Sequence, residues 1–197
     1  MRLRPWLMLA AVLATANCSQ PVVPEDHYYR LTIPVPTPAA AGPKLTGTLE
    51  VDRFLADGLT AGRPIVYSQA NQPNALFEYH YHFWIEPPTV MLQEALVAYL
   101  RSAKLATVVV TPELRAQPDH VLSGKIKRLE RVLGSKPTVV VEIELGLRRV
   151  RDAQLLHVNS YRIESAVQGD SVAAAVEAIN RAVGEIYGRF AQDVSRI

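Results

Sequence analysis

Cys18 is the only cysteine in the 197-residue chain, and a thiolate is the strongest nucleophile among protein side chains. A single cysteine in an exported protein cannot form an internal disulfide, so its position needs another account. It follows a basic start at Arg2 and Arg4, an apolar run from Trp6 to Leu13, and the small residues Ala14, Thr15 and Ala16. That is the three-part layout of a secretory signal, expected over residues 1–17. The apolar run falls short of the roughly 20 residues a membrane-spanning helix needs. Two processing routes are open. Cleavage after Ala14-Thr15-Ala16 would leave Asn17 first and Cys18 as a free thiol. Alternatively, Cys18 becomes the first residue, takes a diacylglycerol through its sulfur and an acyl group such as palmitate on its amine, and anchors the protein. Leu13 to Asn17 is an imperfect lipidation box, with Thr15 and Asn17 as departures, yet lipidation gives the lone cysteine a purpose. Several acyl chains at about 0.8 kcal/mol per buried methylene hold a protein firmly on a bilayer. Ser19 stands where inner-membrane lipoproteins carry Asp, which points to the periplasmic face of the outer membrane.

His80 and His82 lie two apart in Tyr79-His80-Tyr81-His82-Phe83, and strand periodicity would put both imidazoles on one face. Two neutral imidazoles can share a metal. A third ligand would have to come from His27, His120, His157 or a carboxylate, and spacing marks none of them, so no metal site is assigned. Glu142 and Glu144 share a strand face in the same way, and are read as solvent-side partners for cross-strand Arg or Lys. Lys125, Lys127, Arg128 and Arg131 form a basic cluster interrupted by Glu130, read as a solvated strand face. No strand-turn-helix serine, paired zinc-ligand helix, phosphate loop or dinucleotide fingerprint occurs. The reading is therefore a non-enzyme without catalytic residues or cofactors, with an exported hydrolase using His80 or His82 as the outlying alternative. The stretch with most binding potential is Phe77, Tyr79, Tyr81, Phe83 and Trp84. Its alternation is first of all a core pattern, but an open aromatic face could take acyl chains or a partner strand.

The elements that must position these residues follow from periodicity. Pro21 and Pro24 mark a tether over residues 18–25, and Pro34, Pro36, Pro38 and Pro43 mark a Pro-rich loop over 34–43. Between them His27 to Ile33 reads as the first strand. Leu45 to Phe54 alternates Leu45, Gly47, Leu49 and Val51 against polar neighbours, as a half-buried strand does. Leu55 to Gly62 breaks the pattern, Arg63 to Gln69 resumes it, Asn71 to Asn74 turns, and Leu76 to Trp84 extends again. These stretches are expected to form an antiparallel meander. From Pro87-Pro88-Thr89 the period becomes helical through Leu92, Ala95, Leu96, Tyr99 and Leu100. Leu105 to Val110, Val121 to Leu133, Thr138 to Arg149 and Leu155 to Ala166 are strands. A last helix opens at Gly169-Asp170-Ser171, with Val172, Val176, Ile179, Val183, Ile186 and Phe190 as a narrow apolar seam. That seam serves the core first and helix association second.

The fold expected is α+β: one domain over 26–197, with a mainly antiparallel sheet of about seven or eight strands and two amphipathic helices, one central and one C-terminal, packed on it. With 49% apolar and 20% charged residues the chain can bury a core. Without Arg2 and Arg4, nineteen basic residues face nineteen acidic ones. A near-neutral domain lacks the electrostatic footprint of a nucleic-acid binder.

Tyr28-Tyr29-Arg30-Leu31, the run Leu49 to Leu59 followed by Gly62 to Tyr67, and His82 to Glu86 leading into Pro87 to Leu96 together resemble the ABC-type transport auxiliary lipoproteins, the PqiC-like family. The likeness spans nearly the whole chain after Tyr28 and rests on the order and spacing of these pieces. It implies a non-enzymatic lipoprotein facing the periplasm. Such a protein works with an ABC permease and ATPase and an MCE-family periplasmic protein to move lipids between the inner and outer membranes. It implies one functional residue, the acylated Cys18, and supplies no catalytic set. A docking or scaffold role is the leading expectation, a direct lipid carrier with an aromatic-lined pocket the alternative. The reading also leaves room for a homo-oligomer.

Overall fold

The computed structural model describes residues 24–34, 36 and 42–197. The signal segment, Cys18, most of the tether and most of the Pro-rich loop therefore lie outside the described residues. In chain order the elements are β1 (His27–Tyr29), β2 (Leu45–Val51), β3 (Leu55–Ala56), β4 (Pro64–Gln69), β5 (Gln72–Trp84), α1 (Pro88–Ser102), β6 (Ala106–Val110), β7 (His120–Leu133), β8 (Thr138–Arg149), β9 (Leu155–Ala166) and α2 (Val172–Val194). The class is α+β as expected, but the sheet is mixed rather than mainly antiparallel, and it holds nine strands.

The reason lies in β7. On one side this 14-residue strand pairs antiparallel with β8, from His120↔Arg149 to Val132↔Thr138. Its other side receives three short strands end to end, all parallel to it: Leu49 to Val51 of β2, then β3, then Val66 to Gln69 of β4. The chain from β2 to β4 thus steps along β7 without reversing, and β3 and a short 3-10 turn at Gly58–Ala61 make the step. Of the expected meander only β4 and β5 are an antiparallel pair, joined by a turn tighter than Asn71 to Asn74. Two further parallel pairs, β1 with β5 and β2 with β6, complete the mixture. The first strand is shorter than the run His27 to Ile33, and its remainder crosses α2, where the Thr32 N–H donates to Asn180 Oδ1 at 3.1 Å.

Alternation holds in the second half of β2, where Leu49 and Val51 are fully buried, while Leu45 is half-buried ahead of a register shift. Near its start, at an irregularity in its pairing with β6, Gly47 adopts φ +88. A side chain there would collide with the Asp119 carboxylate, whose Oδ2 accepts from the Thr48 N–H at 2.7 Å. Helix α1 starts with Pro88 in its first turn, where the missing N–H costs nothing, and buries Leu92, Leu96 and Leu100. Its buried Gln93 is satisfied by the Val51 carbonyl at 2.8 Å. Helix α2 is capped by Ser171, whose Oγ accepts from the Ala174 N–H at 3.0 Å. All six seam residues are buried, and so are Ala175, Ala178, Ala182, Tyr187 and Val194. The stripe is therefore wide, a core face rather than a narrow association seam. Both helices share one core with the sheet, and the Tyr187 hydroxyl ties them together by donating to the Leu92 carbonyl at 2.7 Å.

Candidate functional site

The aromatic strand does not keep one alternation. Pro64 pairs with Phe83 while Val66 pairs with Glu78, so two steps of β4 span five of β5. An odd number of extra residues exchanges the two faces. Before the irregularity, Phe77 and Tyr79 point to the helix side, and their rings lie 5.3 and 4.6 Å from that of Tyr67. Beyond it His82 and Trp84 take the inward positions, and Tyr81 is exposed. Trp84, at 2% exposure, is part of the core and not of an open surface. Phe83 stacks on Tyr28 of β1 at 5.7 Å.

The same irregularity separates the histidine pair. His80 is exposed, whereas His82 is half-buried, stacks on His27 at 5.0 Å, and hydrogen-bonds through Nδ1 to the Tyr29 hydroxyl at 2.9 Å. Burial, helped by the neighbouring His27, pushes the His82 imidazole below its ordinary 6.5. The imidazole that meets His82 is thus His27, from the parallel strand β1. No group of three or more His, Cys, Asp or Glu side chains comes together among the described residues.

The basic cluster divides as well. Lys125 pairs with Asp57 at 2.7 Å, Lys127 with Glu144 at 3.2 Å, and Arg128 with Glu130. Glu142 takes Arg162 at 3.4 Å, so both glutamates find the cross-strand cations expected of them. Arg131 does not belong to a solvated face, being only 4% exposed. Its Nη1 donates to the Tyr79 hydroxyl at 3.2 Å and its Nη2 to the Asp170 carbonyl at 2.9 Å. A register shift between Ile126 and Arg128 turns Leu129 and Arg131 inward. Arg131 thereby clamps the aromatic strand to the start of α2, a role that simple alternation conceals.

A polar chain and several clefts also lie on the domain. His157 Nε2, the Tyr161 hydroxyl and Asp193 Oδ2 form a chain of 2.8 Å hydrogen bonds between β9 and α2. Burial and the Asp193 carboxylate drive the Tyr161 phenol far above its usual range, so it stays protonated and acts as a tie rather than a nucleophile. At the strand ends, a cleft of about 450 Å³ is lined by Thr46, Asp119, His120, Arg149 and Arg151 among others. The buried His120 Nδ1 has no partner among the described residues. A smaller cleft of about 220 Å³ lies between the C-terminal ends of the helices, beside Tyr99 and Gly188. Neither cleft is lined by Phe77, Tyr79, Tyr81, Phe83 or Trp84.

The most extended open feature is the far edge of the sheet. β9, 12 residues long, pairs only with β8 among the described strands. It exposes Leu155 at 56% and Val158 at 54%. An unpaired strand edge presents a row of backbone donors and acceptors to another chain.

Known proteins resemble the chain in sequence pattern and in fold. The family model described as ABC-type transport auxiliary lipoprotein component matches residues 29–191. The crystal structure of protein XCC0632 from Xanthomonas campestris is similar, with a TM-score of 0.71 at 21% identity, over 83% of this chain and 91% of that one. A second crystal structure, of an uncharacterized protein, gives 0.69 at 19% identity, over 87% and 99%. At these identities the two structures establish a shared fold alone. No curated protein sequence matches the chain.

Proposed function

Since the chain belongs to the ABC-type transport auxiliary lipoprotein family, we propose that it is a non-enzymatic accessory protein that docks onto a lipid-moving transport assembly. In this reading acylated Cys18 holds the protein at the periplasmic face of the outer membrane. The Pro-rich tether spaces it, and the folded domain engages an MCE-family protein or an ABC component. The cargo would be lipid passing between the inner and outer membranes.

The observation that carries a docking role is the unpaired β9 edge with Leu155 and Val158 exposed along it. Strand addition to such an edge takes its affinity from main-chain hydrogen bonds and its specificity from alternate side chains. The seam of α2, the other surface considered for association, is consumed by the core. A carrier role receives less support, because Trp84 is buried and the clefts of about 440–450 Å³ are lined by other residues.

The test is affinity purification of the tagged, membrane-extracted protein, with permease, ATPase and MCE components identified by mass spectrometry. Leu155→Glu with Val158→Lys is the discriminating variant. Leu155 lies opposite Arg148 and Val158 opposite Gly146, so the new charges meet an opposite charge or no side chain. Exposed substitutions of this kind change stability by no more than about 0.5 kcal/mol. The wild type should bring down the transporter components and the variant should lose them. Equal recovery by both would remove the edge from the account, and recovery of no component by either would remove the docking role.

A further inference from the structure

On the face of the sheet away from the helices, where β1 meets β5, a group of apolar side chains stands in solvent. His27 and Tyr29 pair with His82 and Trp84, and Trp84 enters the core, so the intervening partners Tyr28 and Phe83 point to the opposite side. Tyr28 is 55% exposed, Tyr81 41% and Ile85 40%; Tyr81 precedes Phe83 by two residues, and Ile85, just past the end of β5, follows it by two. The patch is held in shape. Tyr28 and Phe83 stack at 5.7 Å, and the Arg63 guanidinium lies 5.5 Å from the Tyr28 ring centre while its Nε donates to the Trp84 carbonyl at 3.0 Å.

We propose that this patch of Tyr28, Tyr81, Phe83 and Ile85 is a membrane-contact surface that lies on the interfacial zone of the bilayer holding the lipid anchor. The proposal rests on the reading of Cys18 as acylated. Only nine residues lie between Cys18 and Tyr28, ten steps along the chain, and an extended chain covers at most about 3.6 Å per step. The tether therefore keeps the patch within roughly 35 Å of the bilayer surface at all times. A short tether turns a weak contact into a well-populated one through effective concentration. Tyrosine suits the site, since its ring prefers the boundary between headgroup and acyl chain and its hydroxyl stays wet. The charges around the patch are mixed: Arg30 and Arg63 are offset by Glu25, Asp26 and Glu86. The contact is accordingly apolar and interfacial, and neutral phosphatidylcholine suffices as its partner.

The test uses the full-length gene product as purified from membranes, reconstituted on dioleoylphosphatidylcholine vesicles. Tyr81→Cys, Ile85→Cys and, on β9, Val158→Cys are each labelled with an environment-sensitive nitrobenzoxadiazole dye. Acylation of Cys18 engages its sulfur, so each variant carries one reactive thiol. Dye at 81 and at 85 should shift to the blue and brighten on vesicles, while dye at 158 should not. Protein that floats with vesicles and carries the acyl mass, yet shows no shift at 81 or 85, overturns the patch and leaves the anchor intact. Equal shifts at all three positions also overturn it. An unmodified mass without flotation overturns the anchor, and the proposal with it.

Discussion

A Cβ built on Gly124 would lie 2.6 Å from the ring of Phe54, and Phe54 is buried. Gly124→Ala must therefore displace a packed aromatic ring, which costs about 1–3 kcal/mol when a core is overfilled. Urea unfolding should show a lower midpoint with an unchanged slope. His82 and His120 carry pH dependence in the imidazole range. Burial pushes both imidazoles below 6.5; His27 adds to this at His82, whereas at His120 Asp119 opposes it and Arg149 and Arg151 assist. The unfolded chain thus binds protons more readily than the fold just below pH 6.5. Their contribution to stability is complete above that value and is lost as pH falls through the lower folded values. The urea midpoint should drop on acidification from about pH 7 to 5, and His82→Gln should flatten that drop. These residues also mark the limit of what sequence spacing reveals. Glu142 and Glu144 were legible because β8 around them is regular. His82 and Arg131 were not, because each lies just beyond a register irregularity that reverses the inward and outward faces.

At the scale of elements, both helices and the four long strands were readable to within a few residues, since a wide apolar stripe or sustained alternation is a local property. The start of α2 was readable too, with Asp170 and Ser171 as the two candidate caps, and Ser171 is the one that caps it. Ser171→Ala removes the acceptor of the Ala174 N–H and should lower stability by about 0.5–2 kcal/mol, seen as a reduced thermal midpoint. Strand direction was not legible. Alternation in β2 and β4 states which face is buried, but both strands bury that face equally well parallel or antiparallel to β7. Only the step through β3 and the turn at Gly58–Ala61 decides it. The open edge of β9 likewise follows from the strand order, not from its own residues. The double variant at Leu155 and Val158 belongs to this scale, and its thermal midpoint should stay close to that of the wild type while partner recovery falls.

For the whole molecule, the domain is organised as a filled core with two outward surfaces at opposite ends of the sheet. The β1–β5 corner, which follows the Cys18 tether in sequence, carries the exposed aromatic patch; β9, the longest edge strand among the described residues, carries an unpaired backbone. This division fits the proposed accessory role, with one side toward the membrane and the other toward a transport assembly. The order of the sequence segments pointed to the family, whereas the placement of the two surfaces required the fold. The central claim is that the β9 edge meets a transporter component. It is tested most directly by placing a photoactivatable benzoylphenylalanine at Val158 or at Tyr81 in intact cells and identifying the crosslinked protein by mass spectrometry. The account predicts an MCE, permease or ATPase adduct from position 158 and none from position 81. A transporter adduct from 81 alone, or no transporter adduct from either position, would contradict it.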